Sequence, residues 1–346
     1  MTKPHVSKRV VTFGELLLRL CPDGEQRFLQ ADRYNAFFGG AEANVSVLLA
    51  NLGMQPVFVS RLPDHEIGQA GINALRKYGV DTGEILRGGN RMGLYFLEQG
   101  ASQRPSRVIY DRADSAFALS DPFDYDWGRI LRKADWFHFS GITPALSDKV
   151  AAACMDAVRT AAHLGVPVSC DLNYRQALWS KEKARKVLEP YMAYLDLLIA
   201  NEEHIKTLFD IHSENIDPKT GELTEAGIEE LAAQLVHQYG LPCAAITMRR
   251  SIHAQHNRIR ALLLNQKQAY FSKEYDIHIS DRVGSGDSFS GGLIYALLQG
   301  FFPSKAVEFA AAACCLKHTI PGDFCLISAE EICRLCEGAG SGQIQR

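Results

Sequence analysis

The chain lacks any long hydrophobic run and any strong excess of charge. None of its 346 residues falls in an uninterrupted apolar stretch of the roughly 18 residues that a membrane-spanning helix needs. The formal net charge is only −3, which gives no reason to expect binding to nucleic acid or to an acidic membrane surface. The first nine residues carry Lys3, Lys8 and Arg9 without an apolar stretch behind them, unlike a secretory signal. We therefore expect a cytoplasmic protein.

Cysteine pairs with metal-site spacing are almost absent. The nine cysteines are an odd number, and only Cys333 and Cys336 form a Cys-x-x-Cys pair. No second pair and no nearby histidine completes a zinc site. On a helix this spacing places both thiols on one face, where packing in the core is a sufficient role. We predict that all nine cysteines are reduced.

Two common motifs of phosphoryl-transfer enzymes are missing, and a different glycine turn is present. The chain has no Gly-x4-Gly-Lys-Ser/Thr loop and no His-Arg-Asp triplet, which excludes the P-loop and protein-kinase mechanisms. Instead, residues 281–287 read Asp-Arg-Val-Gly-Ser-Gly-Asp. An alternating strand pattern at 275–279 precedes this turn, and leucines at helical spacing follow it as far as Gly300. The unit is predicted to be strand, glycine turn and helix.

The glycine turn has the chemistry that phosphoryl transfer requires. Backbone N–H groups of Gly284, Ser285 and Gly286 can converge at a helix N-terminus, where the helix dipole favours an anion. Asp287, at the helix start, would compete with that anion unless it has separate work. Accepting a proton from an attacking hydroxyl is such work. We therefore predict an anion hole at 284–286 and a general base at Asp287.

Elsewhere, strand and helix patterns alternate along the chain. This alternation predicts an α/β fold with a central, mainly parallel sheet flanked by helices on both faces. Ligands bind such sheets beyond the carboxyl ends of the strands, where Gly141, residues 171–175, Asn201 and Thr247 are expected. Additional β-leaning segments, roughly 14–38 and 91–112, predict a small second sheet.

A second motif lies near the N-terminus and, with the glycine turn, indicates a family. Gly39 and Gly40 precede a predicted helix that carries Asn44 and ends in Leu-Ala-Asn-Leu-Gly at 49–53. The two motifs resemble the signatures of the PfkB (ribokinase-like) carbohydrate kinases, with Ser285 in place of the usual alanine. The resemblance covers essentially the full length, which implies a single kinase domain over 1–346, with the small sheet as a lid over the sugar site.

Two arginines indicate the kind of sugar. Arg112 follows a predicted lid strand and Arg175 follows a strand of the main sheet, and an arginine fork binds a carboxylate bidentately. Within the family, the motifs resemble the kinases of 2-keto-3-deoxygluconate, a sugar acid that becomes the 6-phospho product. The resemblance implies these substrate-binding residues: Gly39, Gly40, Asn44, Tyr95, Tyr110, Arg112, Ile142, Arg175 and Asp323.

The resemblance also implies ATP and Mg²⁺, with Asn201, Thr247 and Arg249 on the nucleotide side. The family carries Asn-x-x-Glu at 201–204, but this chain has His204, and a neutral imidazole cannot replace a carboxylate for Mg²⁺. Either Glu202 or Glu203 takes over, or phosphates and water alone hold the metal. A monovalent cation near the glycine turn and a homo-oligomer are also implied.

Two alternatives stay open at this stage. A fructokinase-like enzyme would act on a neutral sugar and would have no carboxylate for the two arginines to bind. A non-catalytic sugar-acid sensor on the same fold would be consistent with His204, whereas Asp287 argues against it.

Overall fold

The strands form two separate sheets in the computed structural model, which describes residues 7–217, 223–266 and 268–338. The strands are β1 Arg9–Phe13, β2 Leu17–Cys21, β3 Asn35–Gly39, β4 Gln55–Leu62, β5 Ile85–Arg87, β6 Gly93–Glu98, β7 Arg107–Asp111, β8 Trp136–Ser140, β9 Val168–Asp171, β10 Leu197–Asn201, β11 Cys243–His253, β12 His256–Asn265, β13 Ala269–Phe271 and β14 Tyr275–His278.

The α-helices lie mainly between strands. They are α1 Ala41–Asn51, α2 Glu66–Arg76, α3 Trp127–Leu131, α4 Ile142–Ala145, α5 Asp148–His163, α6 Lys181–Leu188, α7 Glu202–Phe209, α8 Glu225–Tyr239, α9 Ser285–Leu298, α10 Pro303–Lys317 and α11 Ala329–Cys336. Short 3-10 helices occupy Phe28–Gln30, Pro122–Asp124 and Glu189–Tyr194. None of the helices in the described residues is both long and apolar enough to cross a membrane.

The larger sheet is mainly parallel. Its order is β13-β12-β11-β10-β9-β8-β1-β4-β5, with β14 also paired to β12. All pairs from β11 to β5 are parallel, and β12, β13 and β14 add an antiparallel edge. The parallel strands therefore point their carboxyl ends to one side, as the sequence predicts.

Helices cover both faces of this sheet. Successive strand residues point to opposite faces, and along β1 the side chain of Val11 packs in one hydrophobic cluster while that of Val10 packs in another. The first cluster includes α5 and α8, and the second includes α1, α9 and α10. The predicted α/β architecture with helices on both faces is confirmed.

The smaller sheet, called the lid sheet here, has the order β3-β2-β6-β7. Its strands fall within the two segments where the sequence predicts a second sheet. Alternate residues of β2 are buried, whereas every residue of β7 is exposed. The lid sheet therefore packs through its middle strands and leaves β7 as a solvated edge.

Candidate active site

The two sequence motifs meet at a hydrogen bond between Asn44 and Asp287. Asn44 lies in the first turn of α1 and Asp287 in the first turn of α9. The Asn44 Nδ2 donates to the Asp287 Oδ2 at 2.7 Å, and the Asn44 Oδ1 accepts from the Gly40 amide at 3.3 Å. The helices can approach closely because Gly291 of α9 packs against Leu48 of α1. The motif asparagine therefore orients the carboxylate of Asp287.

The surroundings of Asp287 favour its neutral form. Burial is the main cause that raises the pKa of Asp287, and the carboxylates of Asp171 and Glu42 add to it, while the hydrogen bond from Asn44 and the charge of Arg175 act in the opposite direction. The net result is a pKa of about 7. The side chain still keeps partial contact with solvent. A carboxylate with a pKa close to neutral is well suited to accept a proton from a hydroxyl.

The glycine turn is shaped by close backbone contacts on one side only. Gly284 has a φ of +80°, and a Cβ there would lie 2.3 Å from the Asp323 carbonyl oxygen, so a larger residue would be strained and would clash. At Gly286 a Cβ would meet no other part of the described chain within 4 Å. The turn therefore packs against the protein at Gly284 and faces open space at Gly286.

The amides of the turn differ in availability. The Ser285 amide donates a 3.3 Å hydrogen bond to the Arg282 carbonyl. The amides of Gly284 and Gly286 have no protein acceptor in the part of the chain that the structure describes. Unpaired N–H groups at a helix N-terminus are a suitable binding site for a phosphate oxygen.

Arg175 reaches this region without an ion-pair partner. It follows β9 in a loop where Asn173 has a φ of +38°. Its Nη1 donates to the Tyr174 carbonyl at 3.2 Å, and no carboxylate among the described residues lies within ion-pair distance. The charge of Arg175 nevertheless lowers the pKa of both Asp171 and Asp287. Burial has the larger, opposite effect at Asp171, whose pKa is raised overall to about 6. Arg175 is thus an unpaired cation within electrostatic reach of the predicted base.

Arg112 is held differently. Its guanidinium forms a buried ion pair with Glu15, in which Nε donates to Oε2 at 2.8 Å, and Ser115 donates to the other oxygen of Glu15. Tyr110, at the exposed edge of the lid sheet, lies with its ring 5.8 Å from the Arg112 guanidinium carbon. Sequence reasoning missed Glu15, although its position just beyond β1 was an available signal.

Tyr95 and Asp323 lie together in a buried polar cluster. The Tyr95 hydroxyl donates to Asp323 Oδ1, while Arg19 donates to Asp323 Oδ2 at 3.1 Å and to Asp281 Oδ2 at 2.7 Å. All four side chains are at most 6% exposed. Sequence reasoning missed Arg19, a single charge inside the apolar run of β2. The cluster connects the lid sheet to the glycine turn.

The remaining predicted substrate residues line the strand ends. Gly39 packs directly against the Asp323 carboxylate, and a Cβ at Gly40 would lie 2.1 Å from the Glu15 carbonyl oxygen. Ile142 begins α4, next to Ser140 at the end of β8. Glu42, which is buried in α1, fixes this junction because its Oε1 accepts from the Ser140 amide at 2.7 Å.

On the nucleotide side, Asn201 and Thr247 are neighbours in the register of β10 and β11. Asn201 caps α7 by accepting from the His204 amide at 2.7 Å. Burial, with the charges of Arg175 and Arg249, lowers the pKa of His204 to about 4, so its imidazole is neutral. Arg249 itself is exposed on β11.

The two candidate carboxylates for Mg²⁺ are not equivalent. Glu202 has one buried carboxylate oxygen without a hydrogen-bond partner among the described residues, whereas Glu203 is exposed. No group of three or more histidine, cysteine, aspartate or glutamate side chains in the described residues could hold a metal. This arrangement fits a Mg²⁺ ion bound mainly by phosphates and water, with Glu202 as the available carboxylate.

Comparison with known proteins decides the family. Residues 7–323 match the pfkB family of carbohydrate kinases. The chain belongs to the PfkB family of carbohydrate kinases. The fold agrees with this family. The crystal structure of the 2-dehydro-3-deoxygluconokinase of Thermotoga maritima superimposes on this chain with a TM-score of 0.92, covering 96% of this chain and all of that one, and the two sequences are 50% identical.

Two further relatives are named as kinases of sugar acids. The 2-dehydro-3-deoxygalactonokinase of Haloferax volcanii is 30% identical, over 97% of this chain and 99% of its own length. The 2-dehydro-3-deoxygluconokinase of Thermoproteus tenax is 27% identical, over 84% of this chain and 83% of its own. Membership of the PfkB family makes the protein a sugar kinase, as the two motifs predict.

Proposed function

We propose that this PfkB kinase transfers the γ-phosphoryl group of ATP to the terminal hydroxyl of 2-keto-3-deoxygluconate, giving 2-keto-3-deoxy-6-phosphogluconate. The observation that carries the proposal is the unpaired guanidinium of Arg175 within electrostatic reach of Asp287. A cation placed there matches a carboxylate at one end of the substrate while the hydroxyl at the other end faces the base. The names of the relatives support the same substrate class.

In this proposal Asp287 accepts the proton of the attacking hydroxyl as its oxygen bonds to the γ-phosphorus, while the bond from that phosphorus to the bridging oxygen breaks and ADP leaves. Asn44 holds the carboxylate through its 2.7 Å hydrogen bond, so the base is oriented before substrate arrives. The backbone amides of Gly284 and Gly286 stabilise negative charge on the phosphoryl group during its transfer. The Ser285 amide contributes as well once its 3.3 Å hydrogen bond to the Arg282 carbonyl is broken.

The substrate and nucleotide sides have separate roles. Arg175 binds the substrate carboxylate. Arg112, through its ion pair with Glu15, positions strand β7, and Tyr110 on this strand contacts the sugar. Asn201, Thr247 and Arg249 contact the nucleotide, and Glu202 is the carboxylate that would hold Mg²⁺. When bound, Mg²⁺ neutralises negative charge on the phosphates. Closure of the lid sheet excludes water, which would otherwise compete as the acceptor.

The decisive assay is coupled ADP release with ATP and Mg²⁺. The substrates compared are 2-keto-3-deoxygluconate, its galactonate epimer, fructose and ribose. We expect kcat/KM to be highest for a sugar acid. Arg175→Met should lower that value by about 10- to 150-fold, the range for a lost hydrogen bond to a charged group, and should leave any neutral-sugar activity unchanged.

Arg185→Met is the matched control, because Arg185 is a partly exposed arginine on α6 that pairs with Glu189. It should behave as wild type. Preference for fructose over both acids would replace the proposal with a neutral-sugar kinase. Absence of ADP release on every sugar, with tight binding of the acid, would instead favour a sensor.

A further inference from the structure

A lysine is completely buried beneath the glycine turn, and the mechanism above does not use it. Lys317, the last residue of α10, has an exposed fraction of 0%. Its Nζ donates to the Ile320 carbonyl at 2.9 Å. Among the described residues, no carboxylate lies within ion-pair distance of this ammonium group. A fully buried ammonium group is rare without a compensating charge nearby.

The loop that the lysine closes, residues 318–323, supports the glycine turn. The amides of Ser280 and Asp281 donate to the His318 carbonyl at 2.8 and 3.1 Å. The Gly322 amide donates to Asp281 Oδ2 at 3.0 Å. Asp323 at the end of the loop is the residue whose carbonyl would clash with a side chain at Gly284. The position of the turn therefore depends on this loop.

Lys317 adds a second buried cation to the two buried carboxylates beneath the turn. Asp281 and Asp323 are two buried carboxylates, and Arg19 is the one cation paired with both in the described residues. Burial lowers the pKa of Lys317, while Asp281 and Asp323 act in the opposite direction, so the ammonium is within electrostatic reach of both carboxylates. Lys317 thus adds positive charge near two buried carboxylates that share one arginine.

The family resemblance implies a monovalent cation near this turn, but the residues present do not fit one, because a fixed ammonium group already supplies the charge. We propose that Lys317 is a positioning residue that replaces a monovalent metal ion: it holds the loop 318–323 and balances the charge beneath the anion hole. The inference rests on the proposed function, since it concerns the same phosphoryl transfer. Its consequence is that the kinase works without K⁺.

The first test needs no variant. Turnover of the sugar acid with Mg²⁺ and ATP is measured with K⁺, with Na⁺ and with tetramethylammonium as the only monovalent cation at constant ionic strength. The three rates should agree within about twofold, since an ion that the protein does not bind cannot act by mass action. Activation by K⁺ of about tenfold or more would overturn the proposal.

The second test uses Lys317→Met, which keeps the length of the side chain and removes its charge. In tetramethylammonium, kcat should fall at least about tenfold with little change in the KM of the sugar acid, and K⁺ or NH₄⁺ should restore part of it. K⁺ should also raise the Tm of this variant, but not that of Lys305→Met, an exposed control on α10. The proposal would be overturned if folded Lys317→Met had the wild-type kcat in tetramethylammonium. It would also be overturned if K⁺ or NH₄⁺ did not raise the kcat of this variant.

Two further outcomes are decided by other readouts. If Lys317→Met does not fold, the cation series on the wild-type enzyme decides. If the wild type phosphorylates no sugar acid, the proposed function fails by itself, and its Tm with and without K⁺ decides the present inference. A Tm raised by K⁺ relative to tetramethylammonium would contradict a built-in cation, and an unchanged Tm would support it.

Discussion

At the scale of single residues, the protonation state of Asp287 depends on neighbouring groups with opposite effects on its pKa. Burial, Asp171 and Glu42 favour the protonated carboxyl, whereas Asn44 and Arg175 favour the charged carboxylate. The balance gives a pKa of about 7, compared with 3.8 for an unperturbed aspartate. A stronger acid would be a poorer base, and a weaker acid would be protonated at neutral pH. The environment thus matches the proposed role.

The first prediction concerns Asp287→Asn. We expect kcat to fall by about 10²- to 10⁴-fold with little change in KM, because a positioned base acts in the transition state. The folded pKa of Asp287 lies above its unfolded value, so the carboxylate weakens the fold increasingly as pH rises from about 4 to 7. The variant should therefore have a Tm at pH 8 at least equal to that of the wild type. Near-normal turnover would refute the role of Asp287.

The second prediction concerns pH. The reaction needs the deprotonated carboxylate, so kcat should rise with pH through about 7, the pKa of Asp287. Asn44→Ala removes a hydrogen bond that favours the charged form, so this limb of the pH profile should move to higher pH. Asn51→Ala, on the same helix, removes a hydrogen bond to Cys325 instead and should leave the limb unmoved. A limb shifted to lower pH in Asn44→Ala would contradict the assignment.

At the scale of secondary-structure elements, β2 is tied to the glycine turn by Arg19. The strand belongs to the lid sheet, whereas Asp281 and Asp323 flank the start of α9, and the guanidinium pairs with both. Removing one partner of a buried ion pair leaves the others uncompensated. The lid sheet and the anion hole therefore depend on the same few charges.

The third prediction follows from this cluster. Arg19→Met should lower the free energy of unfolding by about 3–5 kcal/mol, the cost of breaking a buried ion pair from one side. Arg185→Met, which breaks the exposed pair with Glu189, should cost about 0.5 kcal/mol or less. Denaturant unfolding of both variants measures the difference. Equal costs would mean that the buried cluster does not stabilise the fold.

Local patterns were sufficient to predict elements but not their partners. The strand at 275–279, the glycine turn and the lid segments each carry a pattern within a few residues. The structure has strands at Tyr275–His278 and in both lid segments, and the glycine turn leads into α9. Arg19 and Asp323 are 304 positions apart, and Glu15 and Arg112 are 97 apart. No periodicity in one strand specifies so distant a partner, so both arginine pairings were missed. For the same reason the sequence could not distinguish the paired Arg112 from the unpaired Arg175.

At the scale of the whole molecule, the two sheets meet at the candidate active site. The main sheet contributes Arg175 and Asn201 at its strand ends, and the lid sheet contributes Tyr110 beside Arg112. Glu15, between β1 and β2, joins them through its ion pair with Arg112. A ligand held by Arg175 on one side and by Tyr110 on the other would therefore link both sheets.

The last prediction tests that link. Edge strands with few buried contacts exchange their amide hydrogens readily, and every residue of β7 is exposed. Addition of 2-keto-3-deoxygluconate with ADP and Mg²⁺ should slow amide hydrogen exchange in β6 and β7 several-fold. The control is β13, which is an edge strand of the main sheet and does not pair with the lid sheet; its exchange rate should be unchanged. In Arg175→Met the same additions should protect β7 less, because the substrate is held less tightly. Equal protection of β7 and β13 in the wild type would indicate general stabilisation and would argue against closure of the lid sheet over the sugar.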